Sequence, residues 1–133
     1  MPAGAHTKPG EPTTKTRTRP GRPEPVHVHP REVGLVNALA ALADPVRLAI
    51  VRELDASADW TRACGSFPVT VGKAALSHHF AVLRESGLIE QRDEGTRRVN
   101  RLRREEFDDS FPGLLDLVLR DERVLETARA AGR

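Results

Sequence analysis

The chain has one cysteine, Cys64, one tryptophan, Trp60, four phenylalanines and no tyrosine in 133 residues. A lone thiol excludes an intramolecular disulfide and points to a reducing compartment. So few aromatics leave a small domain thinly stabilised, which favours an oligomer. No stretch approaches the roughly 18 apolar residues of a membrane-spanning helix, and the N-terminus has no apolar signal core. The expectation is a soluble, cytoplasmic protein without a membrane partner.

Net charge is also scarce, at a formal +2. Lys8, Lys15, Arg17, Arg19 and Arg22 stand against Glu11 and Glu24 in the first 25 residues, which leaves the remainder near neutral. Bulk charge therefore argues nothing for a nucleic-acid partner. No cluster of three or four Cys, His or carboxylate ligands is spaced for a metal; His27-x-His29 is a two-ligand fragment, so neither metal nor cofactor is expected. Ser77-His78-His79 places a nucleophile beside possible bases. Adjacent residues on a helix point apart, however, and no carboxylate partner or oxyanion loop accompanies them, so no catalytic residue is assigned and an enzyme is not expected.

What the sequence does contain is the stretch Lys73 to Ile89, KAALSHHFAVLRESGLI. Leu76, Phe80 and Leu83 recur at the spacing of one buried helix face. Lys73, Ala74, Ser77, His78, Ala81 and Arg84 make the opposite face small, polar and cationic. Such a face can approach the DNA major groove and offer donors to phosphates and base edges. His79 falls near the buried side and reads as a packed, hydrogen-bonded histidine, leaving His78 as the better contact. Gly87 suits a helix C-cap, and Leu88-Ile89 begins a strand.

The neighbouring segments support that helix. Residues 1–28, rich in Pro, Thr, Gly and Arg, read as a disordered basic arm preceding a domain at 29–130. Within the arm, Arg19 to Pro23 (RPGRP) departs from an Arg-Gly-Arg-Pro minor-groove hook at Pro20, so generic phosphate attraction or plain solvation is the reading there. Arg31 to Ala43 predicts a helix carrying Leu35, Val36, Leu39 and Leu42. Asp44-Pro45 predicts a capped second helix with Val46, Ala49, Ile50 and Leu54 inward and Arg47 and Arg52 at the surface. Ala56 to Cys64 predicts a short helix, followed by an irregular loop, with Trp60, Cys64 and Phe67 as satellite core; Cys64 reads as a small buried hydrophobe rather than a redox group.

Residues 88–103 predict a β-hairpin turning at Asp93-Glu94-Gly95-Thr96, with Arg97, Arg98, Arg101, Arg103 and Arg104 dense enough to meet flanking phosphates. Phe107 and Phe111 read as core anchors. A last helix from Leu114 carries Leu114, Leu117, Val118, Val124, Leu125 and Ala128 on one stripe. With the first helix it offers more apolar surface than a small core needs, which suggests a dimer interface through Leu35, Leu39, Leu114, Leu117, Val118 and Leu125.

The fold class is thus mainly α with a small β-hairpin. Its order of elements is that of a winged helix-turn-helix. LADPVRLAIVREL, Leu42 to Leu54, and LSHHFAVLRESGLI, Leu76 to Ile89, resemble the second helix and the reading helix of the ArsR (arsenic-repressor) family of transcriptional regulators. The resemblance covers roughly residues 31 to 128 and implies a homodimeric repressor on an inverted-repeat operator in double-stranded DNA. Helix 73–86 would lie in the major groove and hairpin 88–103 would serve as the wing. Carried over by position, Lys73, Ala74, Ala75, Ser77 and His78 match the groove-facing segment, and Arg97 and Arg98 match the wing; Arg84 joins them from its place on the cationic face. The loop Gly65 to Gly72 departs from the family's tight helix junction. Arg62-Ala63-Cys64 supplies one thiol where metal-sensing members have a Cys-x-Cys pair, so the effector is not identified. The alternative reading is a winged helix that binds protein without specific DNA readout.

Overall fold

The computed structural model describes residues 24–132. Most of the expected basic arm, residues 1–23, lies outside the described residues. Six α-helices surround a three-stranded antiparallel sheet: α1 Leu35–Leu42, α2 Pro45–Asp55, β1 Arg62–Ala63, α3 Lys73–Glu85, β2 Ile89–Glu94, β3 Arg97–Leu102, α4 Arg104–Ser110, α5 Leu114–Arg120 and α6 Glu122–Ala131. Strand order is β1-β3-β2. This is a winged-helix arrangement, with α3 leading directly into the β2–β3 hairpin.

Local chemistry fixes the principal boundaries. The Asp44 carboxylate accepts from the Val46 and Arg47 backbone N–H groups at 2.9 and 3.0 Å, and Pro45 occupies the first turn of α2, where its missing N–H costs nothing. The end of α3 is a Schellman closure. Gly87 N–H donates to the Arg84 carbonyl at 3.1 Å and Leu88 N–H to the Leu83 carbonyl at 3.0 Å, with Gly87 at φ 77°. The hairpin reverses in two residues: Glu94 pairs with Arg97, and Gly95 at φ 66° supplies the positive dihedral such a loop needs.

The core lies where α2, α3, the root of the hairpin and α4 to α6 converge. Ile50, Val51, Leu83, Leu88, Ile89, Phe107 and Leu115 are closed from solvent there. Phe67 and Phe80 meet edge to face at 5.6 Å between ring centroids, and α6 packs along α2 with Ala128 buried. Phe107 is a core anchor as expected, with the half-buried Phe111 against it at 4.9 Å.

Three expectations are corrected and one helix is added. The first helix begins only at Leu35, because Pro30–Glu32 forms a separate 3-10 turn and Gly34 takes the N-cap. Ala56 to Cys64 is not a helix: Trp60 turns the chain at φ 66°, its N–H donates to the Asn100 carbonyl at 3.0 Å, and Arg62–Ala63 adds a strand to β3. A 3-10 turn, Cys64–Ser66, precedes the loop into α3. Residues 104–110 form a helix of their own, α4. The last helix is two helices, since Asp121 turns from α5 into α6 and accepts from Arg123 N–H at 2.9 Å and Val124 N–H at 3.4 Å.

Gly87 is also a point of contact. A Cβ placed on it would lie 2.7 Å from Pro30 N and Cα. Gly87→Ala therefore combines a left-handed backbone with a backbone clash, and is expected to destabilise the fold by more than about 1 kcal/mol in urea denaturation; Gly72→Ala, where a Cβ meets open space, should change it by less than about 0.5 kcal/mol.

Candidate nucleic-acid interface

The two faces of α3 divide as its periodicity requires. Phe80 and Leu83 are buried and Leu76 is half-buried, while Lys73, Ala74, Ala75, Ser77 and His78 are all exposed on the first two turns. The small side chains keep that surface low, so that the helix backbone can come close to a groove floor. Gly72 caps the helix without a side-chain bond, leaving the first backbone N–H groups open at its entry.

His79 lies on the flank toward α2. Its Nδ1 is 3.0 Å from Arg47 Nη1 and 3.8 Å from Asp44 Oδ2. Arginine can only donate, so Nδ1 accepts and the ring carries its proton on Nε2. Burial, with Arg47 and His78 adding to it against the pull of Asp44, lowers the His79 pKa, in keeping with that neutral form. Arg47 also donates to the carbonyls of Ala41 at 2.7 Å and Ala40 at 3.2 Å. It thus closes the C-terminus of α1 instead of sitting in solvent, a role the surface reading missed.

Most of the hairpin's cationic density turns inward. Arg98 binds the buried Asp93 carboxylate through two bonds of 2.8 and 3.1 Å. Arg101 bridges Glu90 and Glu106 at 2.8 and 2.5 Å, Arg103 reaches Glu106 at 3.5 Å, and Arg104 joins Asp55, Asp108 and Asp116. Of the five arginines expected to meet phosphates, Arg97 at the hairpin tip is the one that is exposed. Arg92 stacks over the Trp60 ring at 4.1 Å and pairs with Glu94. Arg84 is likewise committed: it donates to Gln91 Oε1 at 2.6 Å and to the Val26 carbonyl at 3.1 Å. Arg84 and Arg98, expected as outward contacts, are thus engaged by partners within the chain.

Residues 26–29 lie across the end of α3. Val28 N–H donates to the Arg84 carbonyl at 3.3 Å, and His27 Nε2 accepts from Gln91 N–H at 2.9 Å. His29 Nδ1 accepts from Arg31 N–H at 3.1 Å. Both rings of the His27-x-His29 pair are used as acceptors, and among the described residues no three metal-ligating groups converge.

The expected dimer residues divide as well. Leu35, Leu39 and Leu117 are 54%, 44% and 67% exposed, with Val36 beside them at 77%, whereas Leu114, Val118 and Leu125 are half-buried within the chain. Leu35, Phe111 and Leu114 line one shallow pocket, which joins α1 to the start of α5.

No protein-family model matches the chain. A curated relative, the uncharacterized HTH-type transcriptional regulator YceK of Bacillus subtilis (strain 168), is 36% identical to it over 80 residues. The match takes in 59% of this chain and 79% of that relative.

Two measurements check this geometry. Arg98→Ala strands the buried Asp93 carboxylate and is expected to cost about 3 kcal/mol of stability, whereas Arg97→Ala should stay within about 0.5 kcal/mol; equal effects in denaturant titrations would contradict the inward assignment. His27 is lowered by burial against the opposing pull of Glu90, and His79 is lowered too. Both accept hydrogen bonds as neutral rings, so the folded state resists protonation that the unfolded chain takes up near 6.5. Their contribution is complete above about pH 6.5 and is lost as pH falls from there through the lower folded values. Melting curves from pH 7.5 to 5 should show Tm falling, with a shallower fall in His27→Gln and His79→Gln.

Proposed function

Because this chain belongs to the helix-turn-helix transcriptional regulators, we propose that it is a homodimeric repressor of the ArsR kind that binds an inverted-repeat operator in duplex DNA. The observation that carries this reading is the exposed, low, polar face of α3. Lys73 and the open helix entry meet phosphate, and Ser77 and His78 reach base edges across the clearance that Ala74 and Ala75 leave. Arg97 at the hairpin tip is the wing's phosphate contact. The inward arginines position the wing rather than bind.

The dimer forms through the apolar face of α1 and α5. Leu35, Val36, Leu39 and Leu117 are exposed large hydrophobics on the two helices that the Leu35–Leu114 pocket connects, and contiguous apolar surface of this kind marks an association site. Two-fold symmetry then sets the half-site centres about 34–36 Å apart, or a multiple of that.

Selection from a random duplex pool should return palindromes. Lys73→Glu combined with His78→Ala should weaken the selected duplex by at least about tenfold, the ~1–3 kcal/mol of a lost base contact, with unchanged melting; unaltered binding would remove α3 as the reading helix. Leu39→Glu with Leu117→Glu should convert a dimer to a monomer in sedimentation and reduce duplex affinity in parallel. A wild-type chain that sediments as a monomer on DNA would refute the dimer.

A further inference from the structure

A cleft of about 440 Å³ opens between the first half of α3, the inner face of the β2–β3 hairpin and the Cys64–Ser66 turn. Small-molecule sites fall in the range of about 300–1,000 Å³. Leu76 and Phe80 supply an apolar floor, Lys73 and Arg84 supply positive charge beside the Asp93-paired Arg98, and among the described residues no carboxylate lines it. Cys64 Sγ sits against its inner wall, 3.0 Å from Gln91 Nε2.

Two features go beyond what packing requires. The inner face of the hairpin is apolar at its root, where Ile89 opposes Leu102, but Gln91 then opposes Asn100 and Asp93 opposes Arg98. Gln91, Asn100 and Asp93 are 4%, 0% and 2% exposed. Apolar residues in those rows would close on α3 without the cost of burying amides and a carboxylate, and sequences depart from such patterning chiefly at functional sites. The charge is also lopsided. Arg84 donates to two neutral oxygens, and burial together with the nearby Arg98 holds its guanidinium below the ordinary arginine range although Glu85 and Cys64 pull the other way. An anion in the cleft would relieve that repulsion.

We propose that this cleft is an effector site for a small aromatic carboxylate, whose anionic group meets Arg84 and whose ring lies on Leu76 and Phe80. The site as such rests on the cleft alone; its regulatory effect rests on the DNA-binding reading above. Lys73 and Ser77 belong both to the cleft and to the exposed face of α3, so an occupant competes with DNA for them. A bare backbone phosphate would use the cationic rim but leave the apolar floor empty.

Cys64 is the single thiol of the chain and lines the cleft, so its rate of carbamidomethylation by iodoacetamide reads occupancy without DNA. Saturating 2-naphthoate should slow labelling at least fivefold, while the isosteric 2-naphthamide and inorganic phosphate leave it within twofold. Gly65 borders the cleft, and a Cβ there meets open space, so Gly65→Trp should fill the cleft in a folded protein and abolish the naphthoate dependence. On the selected duplex, naphthoate should raise Kd at least fivefold, within the usual range of coupling between two ligands. Equal protection by naphthoate and naphthamide, or none by either, overturns the site. Protection by phosphate and duplex but not by naphthoate assigns the cleft to the DNA backbone and overturns it too. Charge-selective protection in a chain that binds no duplex upholds the site and refutes the DNA-binding reading instead.

Discussion

Ser86, Gly87 and Leu88 are all that separates α3 from β2, and the arrangement of helix and wing depends on how the last two of them turn. The positive φ at Gly87 brings Leu88 N–H back to the Leu83 carbonyl, so the end of the helix is closed by the residue that starts the hairpin root. Leu88 is itself buried, and its carbonyl accepts from Arg103 N–H at the end of β3 at 2.8 Å. The absence of a Cβ then lets Pro30 seat directly on the turn. One residue without a side chain thus sets the angle between helix and wing and docks the segment that precedes α1.

The distribution of charge follows from that geometry. A hairpin held this close to α3 and α4 places its arginines beside carboxylates of the same chain, and they pair there. Pairs in contact with solvent contribute about 0–1 kcal/mol each, and the half-buried Arg101 and Arg104 keep enough of that contact to define position more than they add stability. The Arg98–Asp93 pair differs, because its carboxylate is buried and cannot be left alone. What remains for an outside partner is a narrow set: the first two turns of α3 and the tip of the wing.

Much of this was legible in the sequence where the signal is local. The Asp44-Pro45 cap, the Leu76-Phe80-Leu83 period, the Gly87 C-cap and the hairpin are each specified within a few residues, and each is present. The first helix starts later than its apolar period suggests because Gly34 caps it, and the stripe from Leu114 runs across a break at Asp121, where an Asp before a new apolar run is itself a cap. The strand Arg62–Ala63 has only two residues and no alternation, so nothing local announces it. Side-chain partners were the least legible. Arg104 meets Asp55 across 49 residues and His27 meets Gln91 across 64, and a run of arginines looks the same in sequence whether it faces solvent or its own acids. The split between exposed Leu35, Leu39 and Leu117 and half-buried Leu114, Val118 and Leu125 depends likewise on how α5 and α6 fold back.

Trp60 gives the molecule an unplanned property. It is the single tryptophan and there is no tyrosine, and its indole lies beneath the Arg92 guanidinium on the wing sheet, in a left-handed turn held by the Asn100 carbonyl. Nearly all ultraviolet emission of the protein therefore originates at one ring on one side of the wing. The chain carries its own optical label there, and its spectrum describes the hairpin's surroundings rather than an average over the domain.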